Sequence, residues 1–510
     1  MKITITYPPL MNEFGQKAMV SQNRNVQYFK KPTYLLPVVH AQAASILKEN
    51  NFDVIWDDAN SQLKDYAKWL IDLKDYSPNL IVLESTTPVM KAMWEASKDI
   101  RKILPESIIV MTGYHSMRSP HETLLNSEVD IVIKSNHVDF ILLKLCKKLE
   151  KDKDLGNLEL DGITKKVNGD IRDYGKFQLV EKINDSAIVD RDLIQWKNYA
   201  YENGNFLRTP GTYATSVIRD CYFGKCTFCR YNGPDLTFSA MTIKKSVDEY
   251  EKLINEHGVK EIFDDSGVWY RGKEAISFAK EIIKRGLHKR GCYFGINTRF
   301  EYLDETTIEW LAKANFRFIL IGLESGSNYS LDMLNKGYTA EGIKQNLMHM
   351  SKHGLHPHLT IMVGYYWETK EMLNDTIRLV KELMFKGYAR TLQVTLCTPL
   401  DFTPYHQEVI KSGKILTKNY NDHDMSKIIV ETPESHDVYY EAVKEIYSIA
   451  FHPKFIIRQI IFLFRFKIRD WEFLFTYGIR AIRRVRQHIF NLTKNSTKKN
   501  KSSIKETKLI

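Results

Sequence analysis

Three cysteines, Cys221, Cys226 and Cys229, stand in residues 216–230, SVIRDCYFGKCTFCR, at the spacing C-x4-C-x2-C. They follow an apolar, strand-like run over 213–218 and lead into a polar loop. Thiolates gathered this tightly are most simply the ligands of one soft-metal centre. A structural zinc site takes four protein ligands. No further Cys and no His lies between Phe206 and Glu256, so the local residues do not close such a site. An iron–sulfur cluster held by three thiolates leaves one iron open to a substrate or cofactor. Four-thiolate ligation is the commoner arrangement, so the vacancy itself points to function.

This pattern resembles the radical S-adenosylmethionine (SAM) enzymes. Their hallmark is three cysteines, usually C-x3-C-x2-C, with an aromatic residue just before the last, the place Phe228 fills here. The first gap is one residue longer in this chain, a variant associated with cobalamin-dependent members. The resemblance implies Cys221, Cys226 and Cys229 as the metal ligands of a [4Fe–4S] cluster. It also implies SAM chelated at the open iron through its amino and carboxylate groups.

At 510 residues, 43% hydrophobic and 26% charged, the chain has room for two or three globular domains with substantial cores. Six cysteines in this length do not make a disulfide scaffold, which fits a reducing cytoplasm. Cys146, Cys292 and Cys397 lie in or beside apolar segments and read as small buried hydrophobes. Of these, Cys397 is the one near enough to a strand end to reach an active site. The start, MKITITYPPL, lacks the apolar core of a signal peptide. No run of about 18 apolar residues offers a membrane-spanning helix. Net charge is +11, yet residues 451–510 alone hold 15 Lys+Arg against 3 Asp+Glu. Basicity therefore belongs to the tail, and the rest of the chain is close to neutral.

The elements that must position this chemistry read as two β/α halves. Residues 1–150 carry apolar runs at 3–7, 52–56, 80–83, 108–111 and 129–133, with helix-period segments such as 38–50 and 90–103 between them. That alternation predicts a doubly wound parallel sheet. Ligands of such sheets bind at the carboxyl ends of strands, here 8–15, 85–88 and 113–116. None of these ends carries G-x-G-x-x-G or a Walker lysine loop. Residues 151–205 read as a connector with an Asn168-Gly169 hairpin signal. Residues 206–415 return to alternation, with strands at 212–218, 261–264, 293–297, 316–323, 358–363 and 392–396. Helices fill the gaps at 244–257, 273–285, 306–314, 340–352 and 371–385. Residues 416–490 form a helical region, with a helix over 437–449, and residues 491–510 read as a disordered tail.

Six strand–helix units resemble the partial (β/α)6 barrel of the radical SAM family, where functional residues sit at the carboxyl ends of strands. By that resemblance, Asp264, Asp265 and Ser266 form the acidic turn that meets the amino group of SAM, which needs carboxylate or carbonyl acceptors. Arg299, at the third end, presents a fork for a carboxylate. Glu324 and Ser325, in G-L-E-S-G-S, lie near the methionyl or ribose groups. Gly364 and Glu368, in G-Y-Y-W-E-T, stand where the family's G-x-P-x-E-T makes adenine contacts, without its proline. The aromatic triplet 365–367 lines a substrate or cobalamin face, or simply packs. A Pro/Thr-rich turn follows the sixth strand at 397–405. Any one of these turns is equally a helix cap or a strand-end turn. Their order behind the cysteines carries the reading.

The N-terminal half resembles the cobalamin-binding domain found in many radical SAM enzymes, with 112–125, TGYHSMRSPHETLL, in the place of its glycine-rich turn. The D-x-H-x-x-G motif that supplies an axial histidine is missing. The resemblance therefore implies cobalamin bound base-off without histidine ligation, and His115 reads as solvent-facing or phosphate-contacting. The bland alternative for this half is a scaffold without a ligand. For the whole chain the resemblance implies an enzyme that forms a 5′-deoxyadenosyl radical and functionalises an unactivated carbon, most often by methyl transfer from methylcobalamin. Rearrangement, cyclisation or oxidation with the same cofactors is the alternative. A non-catalytic cobalamin and iron–sulfur redox sensor is the alternative from another class. The implied partners are a small-molecule, lipid or peptide substrate and an electron donor such as flavodoxin or ferredoxin, with no nucleic acid. Residues 453–489 mix apolar and basic side chains. That composition suits a helix lying on an anionic membrane, or equally a helical cap over the barrel or substrate.

Overall fold

Strand β1 (Lys2–Tyr7) is buried along all but its first residue, as an apolar strand covered on both faces must be. The structure, a computed structural model, describes residues 1–465 except 13–14, 22–23, 30–33, 177–182, 202–205, 207, 215–220 and 233–238. A short antiparallel hairpin, β2 (Lys17–Ser21) and β3 (Arg24–Phe29), follows β1. Then come α1 (Val38–Glu49), β4 (Asp53–Asp58), α2 (Tyr66–Tyr76), β5 (Leu80–Glu84), α3 (Met90–Ile103) and β6 (Ile108–Thr112). After these lie α4 (Tyr114–Arg118), α5 (Pro120–Asn126), β7 (Ile131–Ile133) and α6 (Val138–Lys151). The predicted strands and helices are all present, displaced by one or two residues at most of their ends.

The sheet order is β4-β1-β5-β6-β7, all parallel. Strand order reverses between β1 and β5, so the carboxyl ends of these two strands flank the crevice where an open α/β sheet takes its ligand. The stretch read as a connector extends this sheet. β8 (Ile163–Val167) and β9 (Asp170–Tyr174) form a hairpin, and β8 pairs antiparallel with β7. Its two-residue turn needs positive φ at both positions, which Asn168 (52°) and Gly169 (87°) supply. Further on, buried Arg191 binds Thr212 Oγ1 (2.9 Å), the Tyr213 carbonyl (3.0 Å) and Glu249 Oε1 (2.8 Å).

The chain divides into two compact units, residues 1–224 with 230–269, and residues 225–229 with 270–510. The first also holds α7 (Lys197–Ala200), β10 (Gly211–Ala214), α8 (Ile243–Asn255) and β11 (Glu261–Asp264). Positions 215–218 of the predicted strand 212–218 lie outside the described residues. The second holds α9 (Gly272–Lys284), β12 (Tyr293–Thr298), α10 (Glu305–Lys313), β13 (Phe316–Glu324), α11 (Asn328–Met333) and α12 (Ala340–Lys352). It continues with β14 (His356–Val363), α13 (Lys370–Phe385), β15 (Thr391–Leu396), α14 (Pro404–Lys411), α15 (His436–Ser448) and α16 (Pro453–Arg465). β10 to β15 lie in sequence order in one six-stranded sheet, the sheet of a partial (β/α)6 barrel. α15 braces this sheet, with the Tyr447 hydroxyl accepting from Val394 N (3.1 Å). The part of the basic region beyond Arg465 lies outside the described residues.

The turn after β6 is set by Gly113, at φ +100°, where an added Cβ would lie 2.0 Å from the Ser85 carbonyl oxygen. Gly113→Ala combines a disfavoured conformation with a backbone clash, so it should destabilise the N-terminal unit by about 3 kcal/mol. Differential scanning calorimetry of the full chain checks this: the transition should shift down by several degrees, and an unchanged profile would show that the turn can relax.

Candidate active site

The cysteine loop is tied down by backbone bonds. Thr227 N donates to Leu334 O (3.1 Å) and Tyr405 N donates to Thr227 O (2.9 Å). Thr227 Oγ1 donates to Met333 O (3.1 Å), and Asn335 Nδ2 to Lys225 O (3.0 Å). Cys221, Cys226 and Cys229 are half-buried and none is in a disulfide. Arg299 Nη1 lies 3.9 Å from Cys226 Sγ. The guanidinium, almost fully buried, also bonds the Lys336 carbonyl and Glu301, and sits 5.2 Å from the Tyr338 ring centroid.

Lys336 completes this cation cluster. Its ammonium pairs with Glu324 Oε1 at 3.1 Å, with both side chains buried. It also lies over the rings of Phe228 (5.6 Å) and Tyr338 (5.3 Å). Burial works against the Lys336 charge, but Tyr338, Glu324 and Cys226 more than offset it, holding its pKa above the ordinary lysine value. Glu324 occupies the left-handed region at φ +61°, and the β13–β14 register shifts between Gly322 and Glu324. Both features turn the carboxylate at the strand end. An added Cβ on Gly322 would lie 2.1 Å from Glu324 Oε1, so the glycine makes room for it. Tyr338 donates to the Gly322 carbonyl.

The other predicted residues are buried at strand ends. Asp264 takes Ser266 on one carboxylate oxygen and the Tyr250 hydroxyl on the other (3.2 Å). Asp265 N donates to Ala214 O (2.8 Å). Ser325 meets Thr376 Oγ1 at 3.2 Å and accepts from Ser327 N (3.1 Å), which makes it a brace of the G-L-E-S-G-S turn against α13. Glu368 Oε2 accepts from Gly364 N (2.6 Å), while Oε1 has no hydrogen-bond partner. Burial raises the Glu368 pKa to about 8, against the pull of backbone bonds from Gly364 and Tyr365. Tyr365 is fully buried and stacks on Trp367 at 5.2 Å, so at least these two of the triplet pack together. Cys397 is buried, as are Cys146 and Cys292.

Two polar clusters were not legible from the sequence. In the first unit, at the carboxyl ends of β1 and β5, Tyr7 donates to Glu84 Oε2 (2.6 Å). His40 Nδ1 lies 3.2 Å from the same oxygen and its Nε2 is 2.6 Å from Thr112 Oγ1. Glu84 Oε1 has no partner. Burial lifts the Glu84 pKa to about 7, with Tyr7 and Arg230 pulling it down. His115 is fully buried between Thr87 Oγ1 (3.1 Å) and Glu122 Oε2 (3.4 Å), which corrects its reading as solvent-facing: α4 turns its side chain inward. In the second unit, Asp401 bridges two imidazoles, His406 Nε2 at 3.2 Å and His423 Nδ1 at 3.1 Å. His423 Nε2 is buried without a partner. Residues scattered over 20 positions or more leave no local spacing signal to find such clusters.

Residues 215–380 match the radical SAM superfamily. That stretch is a radical SAM domain. Among curated proteins, an anaerobic magnesium-protoporphyrin IX monomethyl ester cyclase from Cereibacter sphaeroides is 28% identical over 389 residues, 73% of this chain and 60% of that protein. The match thus spans less than two thirds of the cyclase. An uncharacterized methyltransferase from Pyrococcus horikoshii is 26% identical over 392 residues, 75% of this chain and 80% of that protein. Among solved structures, the radical SAM methyltransferase TsrM from Kitasatospora setae superposes with a TM-score of 0.67 at 14% identity, covering 88% of this chain and 89% of that one. OxsB, a cobalamin-dependent SAM radical enzyme, superposes at 0.65 and 14%, covering 100% and 81%. These superpositions show the fold alone: parallel-strand sheets, one of them the half-barrel sheet.

A radical SAM enzyme works with SAM and a [4Fe–4S] cluster, and the loop fits such a cluster in donor type: soft thiols in an electropositive setting. Among the described residues, no three His, Cys, Asp or Glu side chains converge as a ready-made metal-ligand group. The ligand set rests on spacing and the family match. The N-terminal crevice fits an amide-rich ligand in one respect, the orphaned Glu84 oxygen.

Glu368 has a consequence for pH. Its folded pKa of about 8 exceeds the ordinary 4.5, so the folded state holds the proton longer. Stability from this group is full below pH 4.5 and is lost as pH rises toward about 8. Glu368→Gln keeps an acceptor for Gly364 N and removes the titration. Between about pH 6 and about pH 8.5 the thermal midpoint of the unaltered protein should fall more steeply than that of the variant. Parallel curves would mean that Glu368 is ionised throughout.

Proposed function

We propose that the chain is a cobalamin-dependent radical SAM enzyme that functionalises an unactivated carbon by methyl transfer. One observation carries this: a cysteine loop backed by ordered strand-end turns shares a chain with a parallel-sheet domain whose switch-point crevice holds an orphaned buried carboxyl. When bound, SAM and the reduced cluster supply a 5′-deoxyadenosyl radical, and cobalamin supplies a transferable methyl group.

The chain's own residues bind, orient and exclude. Cys221, Cys226 and Cys229 ligate the cluster, and Phe228 covers it beneath Lys336. Arg299 and Lys336 offset thiolate charge. The turn of Asp264, Asp265 and Ser266 accepts the SAM ammonium, while Glu324 and Ser325 orient its methionyl and ribose portion. Gly364 and Glu368 face the adenine, where a protonated Glu368 can donate a hydrogen bond. Glu84 takes an amide N–H of the corrinoid. His115, buried beyond β6, already has partners on both ring nitrogens, and the chain has no D-x-H-x-x-G motif. This supports base-off binding without histidine ligation. A reducing, cytoplasmic setting with a flavodoxin- or ferredoxin-type donor follows from the chemistry.

A second reading, ring formation without methyl transfer, is favoured by the two cyclase relatives, from Cereibacter sphaeroides (28% identical) and Rubrivivax gelatinosus (25%).

Anaerobic reconstitution with iron, sulfide and hydroxocobalamin tests the proposal. The desalted protein should carry about four irons and about one corrinoid per chain, and should form 5′-deoxyadenosine from SAM once reduced. Cys226→Ala should lose the cluster and this cleavage together. A cluster without corrinoid would leave a radical SAM enzyme but rule out methyl transfer through cobalamin. A folded sample with neither would overturn the reading.

A further inference from the structure

Helix α16, PKFIIRQIIFLFR, carries Lys454, Arg458 and Arg465 and no acidic residue. One side seats it on α13. Phe455 is buried, the preceding His452 ring lies 4.6 Å from Phe385, and the Arg458 stem closes over Gly387. The other side faces water. Ile456, Ile457, Ile460, Ile461 and Phe464 are 44–71% exposed, and their i, i+1, i+4, i+5, i+8 spacing places them on one face. The other exposed large apolar side chains among the described residues are scattered, apart from Phe451 just ahead of this helix. A contiguous apolar stripe of this kind marks an interaction surface.

Charge selects the occupant. The 45 residues after α16 hold 12 Lys+Arg against 3 Asp+Glu. A second copy of the same face would bring like charges together with no acid on either helix to pair them. An anionic surface has the complementary charge, and a bilayer adds an apolar interior for the isoleucines. Among the described residues no helix is long and apolar enough to cross a membrane. At 13 residues, α16 is about 20 Å long against a hydrocarbon core of about 30 Å, so it lies along the surface rather than through it.

We propose that α16 docks this chain on an anionic lipid bilayer, with the isoleucine face at the acyl boundary and Lys454 and Arg458 among the headgroups, the net positive charge of the sequence after it adding to the attraction. The proposal is independent of the cofactor assignment. Its test is co-sedimentation of the full chain with vesicles of phosphatidylcholine alone and of phosphatidylcholine with about 30% phosphatidylserine. Partitioning should be at least about tenfold stronger on the anionic vesicles at about 0.1 M salt and should drop severalfold at about 0.5 M. Ile457→Asp combined with Ile461→Asp should cut binding at least about tenfold at an unchanged thermal midpoint, since both side chains are already in water. Ile460→Asn, which adds no charge, should show a smaller loss of the same sign. No binding, equal binding to both vesicle types, or binding indifferent to these substitutions would overturn the proposal. So would a lipid-free dimer that the double substitution dissolves, because the face would then belong to a second copy.

Discussion

A buried ion pair persists only when its remaining protons and lone pairs are also answered. The Glu324–Lys336 pair shows how the barrel meets that demand. Removing one partner of such a pair costs about 3–5 kcal/mol, because the other charge stays behind unpaired. Here the pair lies at the end of β13, with the ammonium also over two aromatic rings and Arg299 bonded to the Lys336 carbonyl. Arg299 in turn reaches Cys226. The carboxyl end of β13, the turn after β12 and the cysteine loop are thus held by one electrostatic network. The left-handed conformation of Glu324 is tolerated because this network over-determines it.

Two other buried carboxyls lack a full set of partners. Glu84 and Glu368 each leave one oxygen without a hydrogen bond, and burial raises both pKa values, to about 7 and about 8. Each stands at or just beyond the carboxyl end of a parallel strand, Glu84 closing β5 and Glu368 following β14. An unanswered buried acid is costly, and its recurrence at strand ends, where parallel sheets bind ligands, ties the cost to function. The Asp401 cluster belongs to the same class: its carboxylate lies within 3.2 Å of two imidazoles, and His423 Nε2 is buried without a hydrogen-bond partner.

Much of the fold was legible because its signals are local. The helix over 90–103 and the helix over 340–352 were read to the residue, since a 3.6-residue apolar period sustained over three or four turns leaves little freedom in placement. The Asn168-Gly169 turn was read for the same reason, but the hairpin's place as two further strands of the N-terminal sheet was not, because edge pairing is a long-range event. α11 was missed: six residues are too few for a period, and its cap, Ser327, was already counted as part of a signature. The polar turn 112–125 suggests a solvent-facing or phosphate-contacting His115; the short α4 buries it, which removes the first of these.

The spacing of three thiols, the alternation of strand and helix, and the concentration of positive charge after Phe451 depend only on neighbours along the chain, and the sequence determined them by itself. Lys336 as the partner of Glu324, Tyr7 and His40 as the partners of Glu84, and the outward turn of the α16 isoleucines depend on which distant segments exclude water from one another. Only the tertiary structure decided those. Burial is a property of non-local packing, and burial converts an ordinary lysine, glutamate or histidine into a group with a specific electrostatic task.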